Sequence, residues 1–156
     1  MKTMQVIYTK VTPDIVKEHR KFFRKHVKRA FVRWLAYNHY LDGICTPAEL
    51  KAAKKGHLAE DLDIHHKVPL SATADPDVNA FNNLCVLHKE THKYINKTYF
   101  QPQLKDIMTA PYGTTQVIDI PAFPYVDTEN ILRERKKVLD NYRKPVYNIF
   151  TKDGQR

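Results

Sequence analysis

The chain has 156 residues, 42% of them hydrophobic and 11% aromatic, which suits a folded protein with one modest core and excludes a disordered polymer. No apolar run reaches the roughly 18–20 residues of a membrane span, and the first residues, MKTMQVIYTK, lack a signal peptide's apolar stretch, so a cytoplasmic protein with no membrane partner is expected. Nearly all of the net charge of +9 lies in residues 1–60, where 13 Lys and Arg stand against 5 acids, and such a local surplus favours a polyanionic partner, nucleic acid first.

Residues 1–11 alternate at Met4, Val6 and Tyr8, as an edge strand or an ordered arm would. Thr12 followed by Pro13 predicts a helix start, and the helix should run to about Leu41 and stop near Gly43. At 100° per residue, Phe23, Val27, Ala30, Phe31, Trp34, Tyr37 and Leu41 form an apolar stripe. Lys17, Lys21, Arg24, Lys25, Lys28, Arg29 and Arg33 fall opposite, with Phe22 and Val32 among them. That basic side is either a solvated cationic surface or a face for phosphates.

A second helix is predicted from Thr46 to about Lys55, since Thr46, Pro47 and Glu49 make a capping-box pattern and Gly56 follows as a stop. A first strand carries His65 and His66, the loop SATADPDVNAFN follows, NLCVL reads as a buried strand, and a helix is expected over about Lys89–Tyr99. Cys85, inside that run, reads as a small buried hydrophobe, and with Cys45 it cannot supply a four-thiolate zinc site. Prolines 102, 111, 121 and 124 break residues 100–126 into loop, with TTQVIDI a possible strand. Asp127 or Thr128 should cap a last helix with Ile131, Leu132, Val138, Leu139 and Tyr142 inward and Arg133, Lys136, Lys137 and Arg143 outward. The expectation is one domain over 1–156: a basic helical region (13–60), a strand–strand–helix module (61–99), and a loop with a C-terminal amphipathic helix (100–156).

Polar residues stand at fixed places in that module. His65 and His66 sit on the first strand, Asn82 and Asn83 open the second, and His88, His92 and Asn96 lie on or enter the helix. Residues 92 and 96 share a helical face, so a metal can be held between it and the histidine pair. Adjacent strand residues point to opposite sides, so the strand must end, twist or bulge for both histidines to serve one site. His19, His26, His39 and His57 read as ordinary helix or loop residues.

The stretches DIHHKVPL (63–70) and NLCVLHKETHKYIN (83–96) resemble the HNH endonucleases, also described as ββα-metal or His-Me finger nucleases. The spacing from Asn83 to His92 is nine residues and from His92 to Asn96 four, as in that family. The resemblance implies an α+β, mostly helical protein, with a ββα-metal core flanked by amphipathic basic helices. His65, His92 and Asn96 would be metal ligands in an H-N-N variant, His66 the general base, and Asn83 the residue pinning the loop that holds His66. The C-x-x-C zinc pairs of many members are missing from this sequence, and an amide as last ligand favours one Mg²⁺ or Mn²⁺, with Zn²⁺ or Ni²⁺ also possible. Asp63 would orient a ligand histidine or stay solvated; His88 would be a ligand, a phosphate contact or only a cap. The implied activity is hydrolysis of double-stranded DNA by a metal-dependent endonuclease, of the small free-standing kind found in bacteriophages and mobile elements. The basic residues from Lys17 to Arg33, with Arg133, Lys136 and Lys137, would contact DNA. The alternative is a non-catalytic DNA-binding or metal-stabilised ββα module. Monomer and homodimer, and nicking and double-strand cutting, stay open at this point.

Overall fold

The computed structural model describes residues 1–142; Arg143, expected on the last helix, lies outside them. The chain is α+β, with helices around two small antiparallel sheets. The alternating N-terminal residues form β1 (Thr3–Thr9). Pro13 then opens α1 (Pro13–Phe22), where the Thr12 carbonyl accepts from the amides of Ile15 and Val16 while its side chain makes no cap bond.

The expected unbroken helix is interrupted by a π-turn, Phe23–Val27, before α2 (Lys28–Tyr37). A π-turn inserts one extra residue, so the buried face downstream advances by about one position. Ala30 and Tyr37, expected inward, are therefore exposed, while Val32, placed among the basic residues by periodicity, is fully buried with Phe31, Leu35 and Ala36. The helix also stops four residues early: the Asn38 side chain donates to the Trp34 carbonyl (2.8 Å), and His39 is left-handed (φ 64°). The capping box of α3 (Pro47–Ala53) forms as read, with the Thr46 amide donating to Glu49 Oε1 (2.8 Å) and the Glu49 amide to Thr46 Oγ1 (3.3 Å). The turn beyond it needs Gly56, whose φ is +95° and whose place leaves no room for a Cβ against Arg29.

Strands β2 (Leu62–His66) and β3 (Leu84–His88) pair antiparallel and in regular register, from Leu62 opposite His88 to His66 opposite Leu84. Every residue of β3 is buried because both its faces are covered. Leu84 and Val86 join a cluster with Phe31, Leu35 and Ile131; Cys85 and Leu87 join another with Ile95, Phe100 and Ile118. Burial pushes the Cys85 thiol well up, as suits a packing residue. The helix expected to reach Tyr99 is α4 (Lys89–Ile95), followed by a second π-turn, Asn96–Phe100, and the short α5 (Gln101–Leu104). Residues 100–126, expected mainly as loop, thus carry α5 and also β4 (Thr115–Pro121), which pairs with all of β1. Pro102 sits in the first turn of α5 and Pro121 ends β4, positions where a missing amide is tolerated.

In the last region α6 (Thr128–Glu134) breaks at Arg135 and helix resumes over 136–142. Of its expected inward residues only Ile131 and Leu139 are buried; Leu132, Val138 and Tyr142 are exposed. The inward row is Ile131, Arg135, Leu139 at i, i+4, i+8. Arg135 is 1% exposed, donating from Nε to Asp61 Oδ2 (2.9 Å), from Nη1 to Glu49 Oε1 (3.0 Å) and to the Ile44 carbonyl. This buried ion cluster joins α3, the start of the β2 segment and the C-terminal helix. Among the described residues no helix is long and apolar enough to cross a membrane.

Candidate active site

β2 ends on His65 and His66, which point to opposite sides of the strand. The strand simply ends there, and its register shows no bulge. His65 is 4% exposed and lies in a wall of rings, 5.7 Å from Phe100, 6.1 Å from Phe123 and 5.3 Å from His92, centroid to centroid. Its buried Nε2 has no hydrogen-bond partner among the described residues. Such an orphaned atom is rare, because burying a polar group without a partner costs roughly 1–3 kcal/mol. Burial, then the neighbouring His92, His66 and Lys67 charges, push the His65 pKa down to about 3, so its imidazole is neutral and its lone pair available.

His92 faces His65 from α4, its Nδ1 3.1 Å from Asp63 Oδ2. A carboxylate only accepts, so Nδ1 carries a proton and Nε2 is left free of this bond. One turn on, Asn96 begins the π-turn and makes no side-chain hydrogen bond among the described residues. His65, His66, His92 and Asn96 line one cleft of about 380 Å³, together with Arg20 and Ser71.

His66 is held from the other side. Its Nε2 is 2.9 Å from Asn79 Oδ1, and the Asn79 Nδ2 donates to the His19 carbonyl (3.0 Å). The second bond fixes which end of the amide faces His66, so the neutral ring must be protonated on Nε2 and bare on Nδ1. His19 is itself anchored, Nε2 to the Thr73 carbonyl at 2.8 Å. Phe23, from the first π-turn, packs edge-on against His66 at 4.7 Å. Burial lowers the His66 pKa from its ordinary value; the Asn79 bond opposes this, and the charges of His19 and His92 add to it. Each π-turn therefore puts one aromatic ring on one of the two histidines.

Asn83 pins the loop between the strands: Oδ1 accepts from the Val68 amide (2.9 Å), and Nδ2 donates to the carbonyls of Val68 (3.0 Å) and Val78 (2.8 Å). Its grip on His66 is indirect, however; the side chain that bonds the ring is Asn79, which sequence reasoning missed. The segment DVNAFNN offers three asparagines, and nothing in their spacing marks the one that reaches a ring 13 residues earlier. Arg20 was missed as well, although its spacing of three from Lys17 and four from Arg24 along the helical stretch could have found it.

His88 lines no part of this cleft; its Nδ1 caps α4 by accepting from the Glu90 amide (3.1 Å), and its Nε2 is 3.6 Å from Asp61. Arg24, Lys28 and Arg29 line a neighbouring cleft of about 590 Å³ that also contains Asp63 and His92. Lys17, Lys21 and Arg24 line another on the far side of Arg20. Lys25 and Arg33 are exposed outside these clefts, as are Arg133, Lys136 and Lys137 on the last helix, where Arg133 bonds Asn130 and Lys136 pairs with Asp140.

Among the described residues no three His, Cys, Asp or Glu side chains gather as a ligand cluster. The set at this cleft is two imidazoles and an amide oxygen, with an orphaned His65 Nε2 and the His92 Nδ1 engaged by Asp63. These groups fit a divalent cation of borderline to hard character. Comparison with protein-family models, with curated proteins and with solved structures finds no match to the chain.

Proposed function

We propose that the chain is a metal-dependent DNA endonuclease of the HNH type, in which β2, β3 and α4 serve as the ββα-metal unit. The observation that carries this reading is the buried His65 Nε2, orphaned beside His92 and Asn96 while the adjacent His66 is locked in one tautomer. A purely structural histidine has no use for a buried, unpartnered ring nitrogen.

His65 Nε2, His92 Nε2 and the Asn96 amide oxygen would hold one divalent ion, Mg²⁺ or Mn²⁺ being the better match to the amide. When bound, the ion supplies charge to offset the phosphate and the leaving oxygen. His66 takes the proton of the attacking water on Nδ1, because Nε2 is committed to Asn79; such a base contributes about 10²- to 10⁴-fold. Asn79 and Phe23 stop the ring from turning. Asn83 fixes the backbone just beyond it. The exposed cations flanking the cleft on both sides, Arg20 and Arg24 nearest, attract the phosphodiester backbone. Duplex DNA is the proposed partner.

Plasmid nicking with Mg²⁺, Mn²⁺ or Ni²⁺, comparing the parent with His66→Ala, tests the proposal. Cutting by the parent and its loss in the variant are expected. Equal cutting by both removes His66 as the base. No cutting with any of the three metals leaves the non-catalytic ββα module as the better reading.

A further inference from the structure

A second cleft, about 830 Å³, adjoins the histidine cleft and shares Arg20, Ser71 and Leu104 with it. Its lining is of two kinds. Lys10, Lys17, Arg20, Lys21 and Arg24 are cations, and no Asp or Glu is among the residues around it. The rest is chiefly apolar, with Val16, Leu104, Ile107 and Met108 joined by the rings of Tyr8 and Tyr112. Ile107 and Tyr8 are buried, whereas Met108 and Tyr112 stand exposed at the rim. Among the described residues Lys17, Arg20, Lys21 and Arg24 make no ion pair with an acid, so their charge is available to a ligand.

A continuous duplex satisfies only half of this cleft. It presents phosphates on a convex surface and keeps its bases stacked inside, so the cations are served and the concave apolar lining stays wet. An unpaired nucleotide satisfies both: its phosphate meets the cations and its base buries a flat apolar face. The volume falls within the range of small-molecule pockets and can admit a nucleoside. We infer that this cleft receives an unpaired nucleotide flanking the scissile phosphate, and hence that the preferred substrate is DNA with a locally unpaired strand, such as a bulge, flap or frayed end. The inference rests on the nuclease reading and specifies its substrate. Position supports it: Arg20 belongs to both clefts, so a phosphate at Arg20 has His66 on one side and the apolar lining on the other.

The test is equilibrium binding in EDTA, which prevents cutting, to duplexes that are identical except for one extra unpaired 2-aminopurine. The bulged duplex should bind at least about tenfold tighter than the continuous one, the scale of one stacked base, with its fluorescence changing on binding. Val16→Trp, which fills the cleft, and Met108→Glu, which puts a carboxylate at its exposed rim, should bring the ratio of the two affinities close to one. Met108 is 64% exposed, so its substitution leaves the fold intact. Equal affinity of the parent for both duplexes overturns the inference and leaves the nuclease reading standing, as does a folded Met108→Glu that keeps the full ratio. Binding to neither duplex overturns both.

Discussion

Asn79 decides which nitrogen of His66 carries the proton: its Oδ1 lies 2.9 Å from Nε2, and its own Nδ2 is committed to the His19 carbonyl. The proposed role of Nδ1 as the base follows from these two bonds together. Asn79→Leu, close in volume and without the acceptor, frees the ring to change tautomer. Turnover should fall about 10- to 100-fold, the usual cost of losing a partner that orients a functional side chain. Divalent-metal affinity, measured by calorimetry, should be unaltered. A parallel loss of metal affinity would place Asn79 in the scaffold rather than behind the base.

The proposed metal site makes the complementary prediction. Asp63 touches His92 Nδ1 and so orients the ring with Nε2 on its free side. Asp63→Ala should weaken Mn²⁺ binding about 10- to 100-fold. His66→Ala should abolish turnover and spare Mn²⁺ binding, while His65→Ala should impair both. Calorimetric titration of the three variants against the parent separates the roles. Equal Mn²⁺ affinity in parent and His65→Ala would remove the orphaned Nε2 as a ligand.

Much of the candidate site was legible in the sequence, and the reasons are local. His65 and His66 are consecutive on one strand, and His92 and Asn96 are one helical turn apart on the element that follows the partner strand. β3 (ending at His88) runs directly into α4 (starting at Lys89), so the helix lies beside the strand pair, and four of the residues singled out line one cleft. The failures have equally definite causes. Val32 was misplaced because a π-turn shifts the helical phase, and the 3.6-residue period carries no sign of it. Arg135 lies in the run RERKK, where any basic residue looks solvated. Its burial depends on Glu49 and Asp61, 86 and 74 residues away, and a pairing of that range is invisible to a pass along the chain. Asn79 failed for the same reason on a smaller scale, since the fold of the loop, rather than its composition, selects among three asparagines.

Glu49 gives the fold one source of acid sensitivity. Burial alone would raise its carboxyl, but the hydrogen bonds from Arg135 and Thr46 outweigh that and hold it below the ordinary carboxylate range. A folded-state pKa below the unfolded value means stability that is complete at neutral pH and lost as the pH falls through about 4.3 and below. Glu49→Ala leaves the buried Arg135 short of a partner and should cost about 3–5 kcal/mol at neutral pH. That difference should shrink steadily below pH ~4.3 as the parent loses the same interaction. Urea midpoints of parent and variant across acid pH measure it, and a constant difference would exclude the ion pair as its source.

Gly56 tests the packing that carries the basic helix. Its φ of +95° disfavours any side chain, and a Cβ there would sit 2.9 Å from the Arg29 Cβ. Arg29 is also tied to this turn, Nη2 donating to the Lys55 carbonyl at 3.1 Å. Gly56→Ala should therefore destabilise by about 1–3 kcal/mol, through strain and through displacement of α2. Thermal unfolding reads the effect. No loss would mean that the turn can relax away from α2 without cost.

The cations between Lys17 and Arg33 make the last prediction. Arg24 lines both clefts that flank the histidine cleft, so a nucleic-acid backbone crossing the site passes it on either path. Affinity for duplex DNA should fall steeply with salt, and Arg24→Ala should reduce the slope of log K against log salt by about one. Lys51→Ala removes the same charge from an exposed position on α3 outside these clefts and should leave the slope unchanged. The comparison separates a phosphate contact from the effect of net charge alone, because both variants lower the total charge equally. Equal slopes for Arg24→Ala and Lys51→Ala would reduce the basic face to a solvated one, and affinity that is flat from low to physiological salt would remove phosphate contact altogether.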